Sequence, residues 1–216
     1  MPWSALLVAA TAGAVVSLVR AIRVGDRALE VVSKATASAC FVALGLARWQ
    51  AGDGFGTWLV AGLLLCAAGD LCLLDDRSFT AGLLAFLLGH LAYLGAFTTA
   101  LPPSAWPLPI LIVVVAAGGA AALWLWPHLG RRRVPVLAYI VAISLMAWGG
   151  LATAAAGALP VRAAVGAVLF YLSDLAVARQ RFVWPEFVNR ALGLPLYYLG
   201  QLLLALSISS SPGGLP

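Results

Sequence analysis

Two acids in this chain stand where a charge is expensive. Asp70 lies in Ala67-Ala68-Gly69-Asp70-Leu71 and Asp174 in Phe170-Tyr171-Leu172-Ser173-Asp174-Leu175, each near the end of an apolar run. An ionisable side chain inside a lipid-facing segment is costly unless it is paired or hydrated, so such a group marks a functional site by default. Paired carboxyl groups serve general acid–base chemistry, and they serve proton relays equally well. Helical spacing gathers more polar groups around them. His90 and Tyr93 are three residues apart with Phe86 one turn before, and Tyr197 and Tyr198 precede Gln201 by four and three residues. Tyr139 adds a hydroxyl and Lys34 a cation. Together these residues predict a polar pocket inside an apolar protein. The plainer reading is that an acid, His90 or a tyrosine only locks helices together through a hydrogen bond.

The elements that must position these groups follow from composition. Of 216 residues, 63% are hydrophobic and 10% are charged. Soluble domains carry about 25% charged residues, so a water-facing globular enzyme or nucleic-acid-binding domain is excluded. A bilayer core needs about 20 apolar residues per helix, which leaves room for about eight spans and no separate soluble domain. Apolar runs punctuated by Gly, Pro and charge place the helices at 3–19, 33–49, 55–74, 79–99, 106–126, 135–156, 161–178 and 187–208. The expected fold is an all-α integral membrane protein of one domain, residues 1–208, with a short disordered tail at 209–216. Pro107, Pro135 and Pro160 fall at helix starts, Ser78 is placed to cap the fourth helix, and Pro195 lies inside the eighth.

Charge sets the orientation. Arg20, Arg23 and Arg27 follow the first apolar run rather than precede it, so that run is expected to be a retained helix and not a cleaved signal. With both termini outside, all thirteen Lys and Arg residues except Arg48 and Arg162 fall on the cytoplasmic side, as the positive-inside rule requires. The net charge of +5 therefore reports topology and predicts no nucleic-acid partner. Asp70 and Asp174 both lie in the cytoplasmic leaflet, and Lys34 enters from the same side. His90 lies about 16 Å from the inner start of its helix at 1.5 Å per residue. Gly69-Asp70-Leu71 leading to Phe79, and Ser173-Asp174-Leu175 leading to Phe182, suggest a parallel duplication of four helices. Cys40, Cys66 and Cys72 form no CxxC pair or zinc pattern.

Gly69-Asp70-Leu71 followed by Phe79, Gly82, Phe86, His90 and Tyr93 resembles the signature of the YhhN-type lysoplasmalogenase family. Gly166, Phe170, Ser173, Asp174, Phe182, Tyr197 and Gln201 resemble its closing motif. Members often carry Pro after the helix-two lysine, where this chain has Ala35. The resemblance implies hydrolysis of the vinyl-ether bond of a membrane lysophospholipid, giving a fatty aldehyde and a glycerophosphoethanolamine or glycerophosphocholine. Such hydrolysis begins with protonation of the alkene carbon, so it needs a protonated acid and an anion that steadies the resulting cation and activates water.

Asp70 and Asp174 are the expected catalytic pair. His90, Tyr93, Tyr139, Tyr197, Tyr198 and Gln201 are expected to line the substrate site, with Lys34 or a loop Arg holding the phosphate. No metal or organic cofactor is expected, and no sequence feature sets an oligomeric state. The dominance of Arg, Ala, Leu and Gly, with Lys34 the only lysine, matches a GC-rich bacterial genome and a place in the bacterial inner (cytoplasmic) membrane. The alternative is a proton-coupled transporter or lipid carrier using the same aspartates. A zinc amidase would need about three histidine ligands, whereas this chain has only His90 and His128.

Overall fold

The computed structural model describes residues 2–208, so the expected tail at 209–216 lies outside the described residues. Among these residues the chain forms eight α-helices and no strand: α1 (Pro2–Val24), α2 (Arg27–Arg48), α3 (Gly54–Cys72), α4 (Phe79–Ala100), α5 (Leu108–Leu129), α6 (Arg133–Ala155), α7 (Val161–Ala178) and α8 (Phe187–Ser207). Six described stretches are long and apolar enough to cross a membrane. One of them, Leu108–Ala155, runs through both α5 and α6, and α8 with its Asn189, Arg190 and Gln201 is not among them.

Local chemistry accounts for most boundaries. The largest departure from the sequence reading is α2, which begins at Arg27 rather than near residue 33. Asp26 caps it by accepting the Leu29 backbone N–H at 3.0 Å, and Arg27 pairs with Glu30 at 2.9 Å. These polar contacts wind the first turn before the apolar run begins. Ser78 stands just before α4, but its hydroxyl donates backwards to the carbonyl oxygens of Cys72 and Asp75 and ties the turn instead of capping the helix. Between α5 and α6, Gly130 takes φ 50° and ψ −121°, a conformation open to glycine because it has no Cβ.

Six helices close a ring in the order α2, α3, α4, α6, α7, α8 and back to α2. Small residues let the walls approach. A methyl group at Gly166 would overlap the carbonyl oxygen of Gly200, which brings the α7 and α8 backbones together, and Gly62 makes room for the ring of Tyr93. With lipid outside, such close packing supplies the association that the hydrophobic effect supplies in water. Two helices stay outside the ring: α1 packs on α2 and α8, and α5 packs on α6. Within each half the neighbours follow the same order, α1–α2–α3–α4 and α5–α6–α7–α8, and the halves join by α4 on α6 and α8 on α2.

Candidate functional site

The ring encloses a cavity of about 430 Å³ whose wall includes both Asp70 and Asp174. Of the other residues singled out in the sequence, Lys34, Tyr139 and Tyr197 also line it. Phe86 and Phe170 line the same cavity. The Phe170 ring packs edge-on to Tyr197 at 5.4 Å between centroids and stacks on His90 at 4.2 Å. Glu30, Gln180, Arg181, Asn189 and Arg190 come from the α1–α2 and α7–α8 ends of the bundle.

Asp70 of α3 is surrounded by donors. Its Oδ2 accepts from Ser38 Oγ at 2.7 Å and from Tyr197 Oη at 2.8 Å. Lys34 Nζ lies 3.6 Å from Oδ1. Lys34 and Ser38 are four residues apart on α2, so one face of that helix delivers both. A carboxylate is an acceptor of up to about four hydrogen bonds, and these neighbours equip Asp70 as an anchored anion.

Asp174 of α7 is built differently. Its Oδ2 lies 3.0 Å from His90 Nε2, and Tyr139 Oη donates to Oδ1 at 3.4 Å. The other ring nitrogen of His90, Nδ1, lies 2.7 Å from the carbonyl oxygen of Phe86. A carbonyl has no proton to give, so Nδ1 carries the hydrogen. At this separation His90 Nε2 and Asp174 Oδ2 do not meet hydrogen-bond geometry with each other, and neither has another hydrogen-bonding partner. The contact sets an imidazole nitrogen against a carboxyl oxygen in a site where His90 is fully buried and the Asp174 side chain is 11% exposed.

The two acids thus have matching supports. Each is met from the preceding helix, by Lys34 of α2 or Tyr139 of α6. Each is also met from the last helix of the opposite half, by Tyr197 of α8 or His90 of α4. The chemistry differs between them: a cation and two hydroxyls at Asp70, an imidazole and a hydroxyl at Asp174.

Four expected site residues stand back from the cavity: His90, fully buried behind Asp174, and Tyr93, Tyr198 and Gln201. Tyr93 donates to Oε1 of Gln201 in a buried bridge between α4 and α8. Tyr198 is buried against Phe41, its hydroxyl 3.4 Å from Ser38 Oγ. Residues that the sequence reading did not single out include Ser38, whose i+4 spacing from Lys34 was the available signal. Arg181 and Arg190 were covered only by the general expectation of a loop arginine. The α7–α8 turn is held by Arg179, which bonds Asn189 and Glu186, and by Gln180, whose Oε1 accepts from Asn189 Nδ2 at 2.9 Å and Glu186 N at 3.0 Å. Arg181 leaves that turn to lie over the Phe79 ring, 4.1 Å from its centroid. Among the described residues, no three His, Cys, Asp or Glu side chains converge as a metal site.

Residues 29–208 match the model of the family described as "YhhN family". The chain is 38% identical over 165 residues to "Lysoplasmalogenase TMEM86B" of Sus scrofa, covering 76% of this chain and 68% of that protein. It is 37% identical over 150 residues to "Lysoplasmalogenase" of Mycobacterium tuberculosis, covering 65% and 55%. Against "Lysoplasmalogenase TMEM86A" of Homo sapiens it is 35% identical over 163 residues, covering 72% and 66%. No solved structure matches the fold significantly.

Proposed function

The chain belongs to the YhhN family, and on that footing we propose that it hydrolyses the vinyl-ether bond of lysoplasmalogens in the cavity between α3 and α7. The observation that carries this reading is one cavity lined by two differently supported acids: Asp70, held by Ser38, Tyr197 and Lys34, and Asp174, backed by His90 at 3.0 Å. Vinyl-ether hydrolysis asks for these two environments in turn.

In the first step Asp174 protonates the alkene carbon one removed from the ether oxygen. The resulting oxocarbenium ion lies between the Asp70 carboxylate and the faces of Phe86, Phe170 and Tyr197, which favour a cation. Water then adds to the cationic carbon and gives its proton to Asp70, forming a hemiacetal. In the last step Asp70 returns that proton to the ether oxygen as the carbon–oxygen bond breaks. The hemiacetal hydroxyl proton passes to Asp174, and the aldehyde and the glycerophospho-alcohol leave. Both acids end as they began, and one water is consumed.

Lys34, Arg181 and Arg190 supply positive charge for the substrate phosphate. Their positions, with Arg131–Arg133 at the α5–α6 connection, support a single bundle, residues 1–208, of eight crossing helices with both termini outside. On this reading the cavity opens to the inner leaflet of a bacterial cytoplasmic membrane. The matching supports of the two aspartates favour descent by four-helix duplication. Reporter fusions after residues 104 and 131 are expected to report outside and inside respectively; the reverse result would overturn the placement.

The direct test supplies purified protein in detergent with a lysoplasmalogen and with the matching acyl lysophospholipid. Aldehyde should appear from the vinyl ether, and the ester should release no fatty acid. Absence of aldehyde from the vinyl ether would refute the activity.

A further inference from the structure

The two seams of the ring are covered unequally. α1 leans on both α2 and α8 and closes the seam between them, whereas α5 packs on α6 and makes no comparable contact with α4. At their outer ends α4 and α6 are drawn together, because Gly149 and Gly150 admit the side chains of Phe97 and Trp106. Toward the α5–α6 connection a second hollow of about 290 Å³ opens beside that seam. Leu83 and Leu87 of α4, Val136 and Ile140 of α6, and Leu175 of α7 give it apolar walls. Leu84, on its outer bank, is 54% exposed.

Polar groups enter this groove at two places. Arg132 lines it near the α5–α6 turn, while Tyr139, Asp174 and Arg181, with Phe79, Leu83 and Val177, belong to both the groove and the cavity. From Arg132, just before α6, to Ile143 within it the groove runs about 16 Å at 1.5 Å per residue. Asp174 therefore stands where an apolar trough meets a polar chamber.

We propose that this groove binds the single alkenyl chain of the substrate, which enters sideways from the bilayer between α4 and α6 while its head group occupies the cavity. The inference rests on the hydrolase reading of the same site and deepens it. The occupant is one hydrocarbon chain ending in an anionic head, because the walls are apolar and the neighbouring cations suit a phosphate. The bond to be cleaved is the junction of chain and head, and Asp174 is the one acid that lines both groove and cavity. The uncovered seam thus selects which acid meets the alkene: Asp174 faces the chain, and Asp70 faces the head group and water.

Two measurements test this. In the unaltered protein, a lysolipid with a photoreactive group at the end of its chain should label peptides of α4 and α6. Labelling confined to α1, α2 or α8 would place the chain in the opposite seam and overturn the proposal. In kinetics, Leu87→Trp and Ile143→Trp narrow the deep end of the groove. The ratio of kcat/KM for a long-chain over a short-chain vinyl-ether substrate should fall about tenfold, carried mainly by KM. A ratio that stays at the wild-type value in both variants would also overturn it. Failure of the unaltered protein to release aldehyde is a separate result, and it removes the hydrolase reading itself.

Discussion

Asp174→Asn should lower kcat for aldehyde release by roughly 10³-fold or more, with the protein still folded in detergent. The amide keeps the shape of the carboxyl group but cannot carry the transferable proton. It leaves the Tyr139 contact at 3.4 Å and the stacking of His90 on Phe170 largely intact, so the loss is one of chemistry. The measurement is aldehyde release under saturating substrate, with thermal unfolding as a control. Undiminished turnover by a folded Asp174→Asn protein would take the acid role away from this residue. A useful companion is His90→Phe, which keeps the stack and removes the imidazole, and which should also reduce kcat more than it alters KM.

The second large effect is at Asp70, where fold and function are entangled. Asp70→Asn is expected to reduce kcat by roughly 10²-fold or more, since the anion that faces the oxocarbenium ion is lost. It also leaves Lys34, whose side chain is 10% exposed, as an uncompensated cation, and breaking such a buried pair costs about 3–5 kcal/mol. The doubly substituted Asp70→Asn, Lys34→Met protein separates the two contributions. Removing both charges should restore the unfolding temperature without restoring turnover. Recovery of activity in the double variant would mean that Asp70 only neutralises Lys34, and the catalytic role would pass elsewhere.

These outcomes depend on differences between the two acids that the amino-acid order does not display. In sequence the two look alike, each one step before a leucine near the end of an apolar run. Their partners come from other helices: Ser38 lies 32 residues from Asp70, and Tyr197 lies 127 away. His90 and Tyr93 share a broad face of α4, yet they part company in the bundle. Three residues along a helix leave an angular offset of about 60° and a rise of about 4.5 Å. That offset is enough to send His90 to Asp174 on α7 and Tyr93 to Gln201 on α8.

What the sequence by itself determined is the set of apolar helices and the presence of costly polar groups inside them. Each is a local property, since lipid enforces helix formation wherever about 20 apolar residues run together and penalises an unpaired charge at any depth. The earlier start of α2 escaped because a capping aspartate and an Arg27–Glu30 pair wound a turn that apolarity does not mark. Only the tertiary structure decided that one cavity would hold both acids, that His90 would lie against Asp174 and donors against Asp70, and that the α4–α6 seam would stay uncovered. Those features arise from which helix packs on which, and close packing between helices is set by small residues that meet a distant backbone, as Gly166 meets Gly200, or a distant large side chain, as Gly149 meets Phe97.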